Sequence, residues 1–203
     1  KLVNEKIFKN MWIQPASGDA GGALGAALAV YYLMLGNKRI IDENKDSMKG
    51  SFLGPSYSDN EIENTLLKLK ANYSKLNTKE IVEKVSEDLK SGKAIGWMQG
   101  RMEFGPRALG GRSIIADPRS PKMQKLLNLK VKFRESFRPF APSILRENLS
   151  EWFDLEQDSP YMLLVASVKN TKIIRMTDDE KKLFGIDKLN IVRSKIPSVT
   201  HVD

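Results

Sequence analysis

TKEIVEKVSEDLKSGKAIGWM, residues 78–98, holds the sharpest change of periodicity in the chain. Ile81, Val82, Val85 and Leu89 recur at helical spacing behind Thr78, a residue suited to capping a helix, and Gly92 supplies the stop. The run AIGWM at 94–98 then has the length and apolar character of a short buried strand. A helix delivered directly into a strand makes the domain mixed, of α/β or α+β class.

Reading towards the N-terminus, Asp59 is placed to cap a helix carrying Ile62, Leu66, Leu67 and Leu69. Residues 37–58 are polar, contain Gly50, Gly54 and Pro55 and lack periodicity, so they read as a linker or long surface loop and as the domain boundary. Before them, the turn at 16–19 leads into a small-residue helix ending near Gly36, with Asp19 as its expected cap. The uncharged stretch 20–37 barely reaches the length of a membrane span and is only moderately apolar, so a buried helix is expected, with Gly21 and Gly25 spaced to admit another backbone closely.

Towards the C-terminus, a Gly-rich basic string at 100–119 is followed by an expected helix over 120–130. An extended run or strand is expected at 139–145, then a helix through Trp152 and Phe153. Residues 161–168 (YMLLVASV) give the strongest strand signal of all; Thr177 caps a short acidic helix; 196–202 reads as a final strand. There is no internal repeat and no low-complexity segment.

The 203 residues include no Cys, which excludes disulfides and thiolate-bound zinc, and 41% hydrophobic with 29% charged residues is ordinary for a globular protein. A chain of this length buries roughly 70% of its unfolded surface without metal or disulfide staples. Its Ala- and Lys-rich composition without a signal peptide predicts a cytoplasmic location, and its start at Lys1 suggests a piece of a longer protein.

The net charge of +8 is local. Between Arg101 and Arg146 stand eleven basic residues against three acidic ones, while the rest of the chain is balanced. Seven of the eleven are Arg, the planar donor that grips phosphate in bidentate fashion, and several sit among Gly, Pro and Phe rather than alternating with Glu on a helix. That pattern predicts a pocket for a compact anion. In GRMEFGPRALGGRSIIADPR (100–119), Arg101, Arg107, Arg112 and Arg119 are interleaved with Gly100, Gly105, Gly110 and Gly111, whose amides can approach an anion closely. In KFRESFRPFAPS (132–143), Lys132, Arg134 and Arg138 share a face if the backbone is extended, and Phe137, Pro139, Phe140 and Pro142 stiffen the run.

These strings, with IQPASGDAGGALGAAL near the N-terminus and IPSVTHVD at the end, resemble the C-terminal region of O-carbamoyltransferases of the NodU and TobZ type, which act in nodulation-factor and antibiotic biosynthesis. The resemblance covers nearly the whole chain and is weakest over 38–93. It implies a YrdC-like twisted mixed sheet with flanking helices over 59–203, preceded at 1–37 by a helical remnant of an actin/sugar-kinase-like transfer domain and a linker at 38–58. It further implies that ATP with Mg²⁺ and carbamoyl phosphate yield carbamoyl adenylate, whose carbamoyl group another domain passes to a hydroxyl of a small-molecule or glycan acceptor.

Carried over by position, Lys132 and Arg138 are implied to grip carbamoyl phosphate and nucleotide phosphates, with Arg107, Arg112, Arg134, Ser143 and His201 as further phosphate contacts. Asp19 matches a carboxylate that binds Fe²⁺ or a similar divalent metal in the complete enzyme. Two departures stand out: Gly111 occupies a position where the family carries Asn, and the sequence stops at THVD, before the Gly-x-Ala-Arg continuation of the family. Other readings remain open from the residues themselves. Phe104, Phe133, Phe137 and Phe140 among the cations suit an RNA-binding module, although stiff Gly-Pro-Arg loops favour a compact polyphosphate. A threonylcarbamoyl-adenylate synthase of tRNA modification uses related chemistry, and an inert interaction domain predicts no phosphate ligand.

Overall fold

A computed structural model describes residues 2, 5–9, 11–42 and 45–201 of the chain. Its order is α1 (Asp19–Ala29), α2 (Asp59–Lys68), α3 (Thr78–Lys90), β1 (Ile95–Met98), β2 (Arg112–Ile115), α4 (Met123–Lys130), α5 (Leu149–Trp152), α6 (Asp178–Lys181) and α7 (Gly185–Leu189), with short 3₁₀ turns between them. β1 and β2 pair in a two-stranded antiparallel sheet. The class is α+β, as the helix-to-strand passage at 78–98 predicts.

Helix starts follow local hydrogen-bonding chemistry, one residue earlier than expected in two cases. Ser58, not Asp59, caps α2, and Asn77, not Thr78, caps α3; each accepts from the backbone N–H three residues on, while Glu61 or Glu80 accepts in return from the cap residue's N–H. Thr177 caps α6 with Glu180 in the same way, as expected. Asp19 is the first residue of α1 rather than its cap, which falls on Gly18 without a side-chain bond. α1 continues as a π turn over Val30–Met34 and the run ends at Gly36, whose φ of +67° belongs to the left-handed region. A side chain at Gly21 would strike the Ala16 carbonyl, whereas Gly25 faces open space.

Two strand expectations are corrected. Residues 161–168 form no strand: Met162 has a φ of +53°, outside extended geometry, and only Val168 pairs, in an isolated bridge with Phe153. Tyr161 instead donates its hydroxyl to the Asp46 carboxylate and accepts from the Gly50 N–H at 3.1 Å; burial first, and then Asp46, pushes this phenol up to about 12. At the end of the chain Pro197–Val199 turn as a 3₁₀ helix, because Pro197 cannot donate to a sheet ladder; Val202 of the expected strand lies outside the described residues.

The chain divides into two compact units. One comprises Lys1–Lys70, Met98–Ser113 and Ser159–Leu164; the other comprises Ala71–Trp97, Ile114–Asp158 and Val165–Asp203. In the first, Ala16 and Met48 are buried and a backbone ladder joins 51–55 to 102–104 through Gly54 N–H to Met102 O, Met102 N–H to Pro55 O and Phe104 N–H to Ser51 O. In the second, Leu149, Phe153 and Ile196 form a core against which Ile144, Trp152, Leu155 and Val199 pack. No helix among the described residues is long and apolar enough to cross a membrane.

Candidate functional site

In the first unit the Gly-rich string is the connection between β1 and β2, closed at its base by Gln99 N–H donating to Gly111 O at 2.9 Å. Its organiser is Glu103, 8% exposed, a residue that a count of cations passes over. Oε1 of Glu103 accepts from the backbone N–H groups of Leu109 (2.6 Å), Gly111 (2.7 Å) and Arg112 (3.3 Å). Burial raises the Glu103 carboxyl, yet these amides outweigh it and hold the group below its ordinary value. Gly111 fits because it has no side chain: a Cβ there would lie 2.5 Å from the Arg101 carbonyl and 3.1 Å from the Glu103 carboxylate.

The guanidinium groups of this loop are largely engaged by backbone. Arg112 Nη1 donates to Gly111 O at 2.7 Å and, more weakly, to Gly100 O and Gln99 O. Arg101 Nη1 donates to Gly54 O at 2.7 Å, and the half-buried Arg107 reaches Pro15 O at 3.5 Å, the limit of a bond. Asp19, in the same unit, is exposed at the first turn of α1. No group of three His, Asp or Glu among the described residues could hold a metal ion. Asp19 alone does not fit a tightly held cation.

In the second unit the KFRESFRPF run is not extended, so Lys132, Arg134 and Arg138 do not share a strand face. The chain turns back at once: the Lys132 N–H donates to Leu127 O, the Arg134 N–H to Asn128 O, and Phe133 adopts a φ of +51°. Two side-chain amides one turn apart on α4 hold the loop. Asn128, fully buried, donates Nδ2 to Ser136 O (3.0 Å) and Arg138 O (2.8 Å) and accepts from Arg134 Nε at 2.6 Å. Gln124 Nε2 donates to Phe137 O and Arg138 O, each at 3.2 Å. The pair Gln124 and Asn128, at i and i+4 just before the arginine run, is the sequence signal for this clamp.

The clamp leaves the three cations with different freedom. Arg134 is committed, bonded to Asn128 and lying 5.1 Å from the centre of the Phe140 ring. Arg138, about half exposed, holds Glu135 at 3.0 Å across an exposed pair that an incoming anion can replace; Glu135 is held below its ordinary value, first by its own backbone amide and then by Arg138. Lys132 is exposed and has no side-chain partner among the described residues. Ser143 is exposed further along the same irregular run. His201 lies elsewhere in this unit, on a cleft of about 600 Å³ that Lys132, Arg134, Arg138 and Ser143 do not line. The donor set of the loop, the ammonium of Lys132 and the loosely held guanidinium of Arg138, fits phosphate oxygens.

Geometry alone gives a mixed α+β chain with a clamped loop that carries Lys132 and Arg138. Comparison narrows the class: residues 86–203 match the family model described as carbamoyltransferase C-terminus, and the chain belongs to that family. An uncharacterised protein of Synechocystis is 53% identical over 206 residues, covering 100% of this chain and 33% of that protein. The nodulation protein NolNO of Sinorhizobium fredii is 36% identical over 207 residues, covering 100% and 27%. The 3'-hydroxymethylcephem-O-carbamoyltransferase of Streptomyces clavuligerus is 31% identical over 168 residues, covering 83% and 29%. The chain thus spans about a third or less of the length of these curated relatives.

Proposed function

We propose that this chain is the carbamoyl-activating part of a larger O-carbamoyltransferase. Residues 59–203 serve as a YrdC-like domain, 38–58 as linker or surface loop, and 1–37 as the end of a metal-dependent transfer domain in which Asp19 becomes a ligand to Fe²⁺ or a similar ion. The observation that carries the reading is the Lys132–Arg138 loop, fixed by Gln124 and Asn128 yet presenting a free ammonium and an exchangeable guanidinium.

In this reading carbamoyl phosphate is cleaved by water to carbamate and phosphate. A carbamate oxygen then attacks the α-phosphorus of ATP, the bond to the β-phosphate bridge breaks, and pyrophosphate leaves with the electron pair. Carbamoyl adenylate results, and its carbamoyl group passes to a hydroxyl of a small-molecule or glycan acceptor in the rest of the enzyme, the hydroxyl losing its proton and AMP leaving with the electron pair. The protein's task is to gather mutually repelling anions and stabilise the charge that grows on the leaving group. Lys132 and Arg138 supply that charge, with Ser143 and His201 as further phosphate contacts; Arg107, Arg112 and Arg134, whose guanidinium groups are held within the chain, take a phosphate role only where those bonds are exchanged. No protein nucleophile is needed.

Calorimetric titration of the 203-residue chain with Mg-ATP and with carbamoyl phosphate tests this. Both should bind, with Lys132→Ala and Arg138→Ala each weakening binding by about tenfold or more, the loss of one charge-assisted contact. Tighter binding of a short RNA than of either ligand, or nucleotide turnover that depends on threonine rather than carbamoyl phosphate, overturns the assignment.

A further inference from the structure

Three consecutive residues, Lys49, Gly50 and Ser51, have φ values of +50°, +67° and +67°. Glycine adopts this left-handed conformation freely, but the Cβ atoms of Lys49 and Ser51 make it costly, and such residues ordinarily occur singly. A run of three persists only where the surroundings over-determine it.

Two side chains supply that restraint. The Asp46 carboxylate accepts from the Met48 N–H at 2.9 Å and from the Gly50 N–H at 3.1 Å. The Tyr161 hydroxyl donates to the same carboxylate and accepts from the same Gly50 N–H at 3.1 Å. The middle residue of the strained run is therefore gripped both by a local carboxylate and by a phenol 111 positions away. Met162, beside Tyr161, is left-handed as well, with a φ of +53°.

The far end of the run leads into the Gly-rich loop. The carbonyl of Ser51, a residue only 2% exposed, accepts from the Phe104 N–H at 2.6 Å, and the Met102 N–H donates to Pro55 O at 2.9 Å. Met102 and Phe104 flank Glu103, whose carboxylate gathers the amides of Leu109, Gly111 and Arg112. Relaxation of the run towards right-handed geometry turns the Ser51 carbonyl away from Phe104 and removes one of the two bonds that fix Glu103. All of these groups belong to the first compact unit.

We propose that Tyr161 and Asp46 form a latch on the strained turn at 49–51 and thereby, through Ser51 and Glu103, set the order of the Gly-rich loop that carries Arg107 and Arg112. Tyr161 is in this sense a positioning residue acting through other groups. The inference goes beyond the carbamoyl-activating reading and does not depend on what the loop binds.

Site-resolved amide hydrogen exchange on the 203-residue chain tests it. Tyr161→Phe keeps the ring and removes both bonds of the hydroxyl, so the amides of Phe104, Leu109, Gly111 and Arg112 should exchange about tenfold faster or more, while those of α2, in the same unit, stay within about twofold. A hydroxyl with a merely structural role speeds α2 and the loop alike, and that result overturns the proposal. The strain supplies a second readout. Lys49 is exposed, and Lys49→Gly lets the left-handed conformation form without a Cβ, so in that background Tyr161→Phe should speed loop exchange only about threefold or less. An equal effect in both backgrounds means that the latch restrains no strain and overturns the proposal. Should Tyr161→Phe fail to fold, Asp46→Asn, which keeps the outline and weakens the hold on Tyr161 and Gly50, carries the same question, and unchanged loop exchange in that variant overturns the latch.

Discussion

Glu103 is one of two acidic residues, with Asp117, in a string whose charge otherwise announces anion binding, and the structure turns it from a deduction in a charge count into the support of the loop. Its carboxyl is held below the ordinary value in the fold, so its contribution to stability is present above about pH 4.5 and disappears as pH falls through the lower folded value. Glu103→Gln should therefore cost about 2 kcal/mol at pH 7, the size of a bond to a charged group. The loss should shrink on acidification, because the unaltered protein alone gives up this term below pH 4.5. Denaturant midpoints at pH 7 and pH 3.5 check it; an equal difference at both values removes the carboxylate from the account. The cations of the same string were legible from composition, but not which of them are spent. Arg112 and Arg101 look alike in sequence to Lys132 and Arg138, and only the backbone carbonyls of Gly111, Gly100 and Gly54 distinguish them.

At the scale of elements, the helices and β1 were legible, whereas β2 and the fates of 161–168 and 196–202 were not. The boundaries of α2 and α3 moved by one residue because Ser58–Asp59 and Asn77–Thr78 each offer two capping side chains in succession, and only the one three residues before a Glu closes the reciprocal pair. Residues 161–168 failed as a strand for a non-local reason: Tyr161 is bound by Asp46 and Gly50, more than a hundred positions away, and hydrophobic run length carries no trace of that pull. The face of α4 with Gln124 and Asn128 joins element to site. Removing the Asn128 amide breaks bonds to Ser136, Arg134 and Arg138 at once, in a fully buried place. Asn128→Ala should cost about 3 kcal/mol, the upper range for a buried polar network, whereas Gln124→Ala, on a half-buried side chain, should cost about 1 kcal/mol. Both should weaken Mg-ATP binding through loop order, so the loss should lessen at low temperature, where Lys132→Ala remains defective. Equal temperature dependence for all three argues against a positioning role.

Over the whole molecule, the family was legible where the architecture was only partly so, because long motif strings in a fixed order specify ancestry while strand pairing depends on distant partners. Net charge is the other property that belongs to the whole chain, and it separates a phosphate pocket from a nucleic-acid surface. A body of charge +8, its excess lying within 101–146, attracts any polyanion at low salt. If that attraction is the function, binding of a short single-stranded RNA engaging about six phosphates loses roughly two to three orders of magnitude between 50 and 200 mM salt, because each neutralised phosphate releases condensed counterions. In the proposed reading Mg-ATP, compact and with few counterions to release, meets the exchangeable guanidinium of Arg138. Its affinity should fall by only about tenfold over the same range, since partly buried pairs are poorly screened. Titrations at 50, 100 and 200 mM KCl therefore should show RNA and nucleotide affinities crossing, with the nucleotide the tighter ligand at 200 mM. RNA remaining the tighter ligand throughout places the chain's purpose on its surface rather than in its Lys132–Arg138 loop.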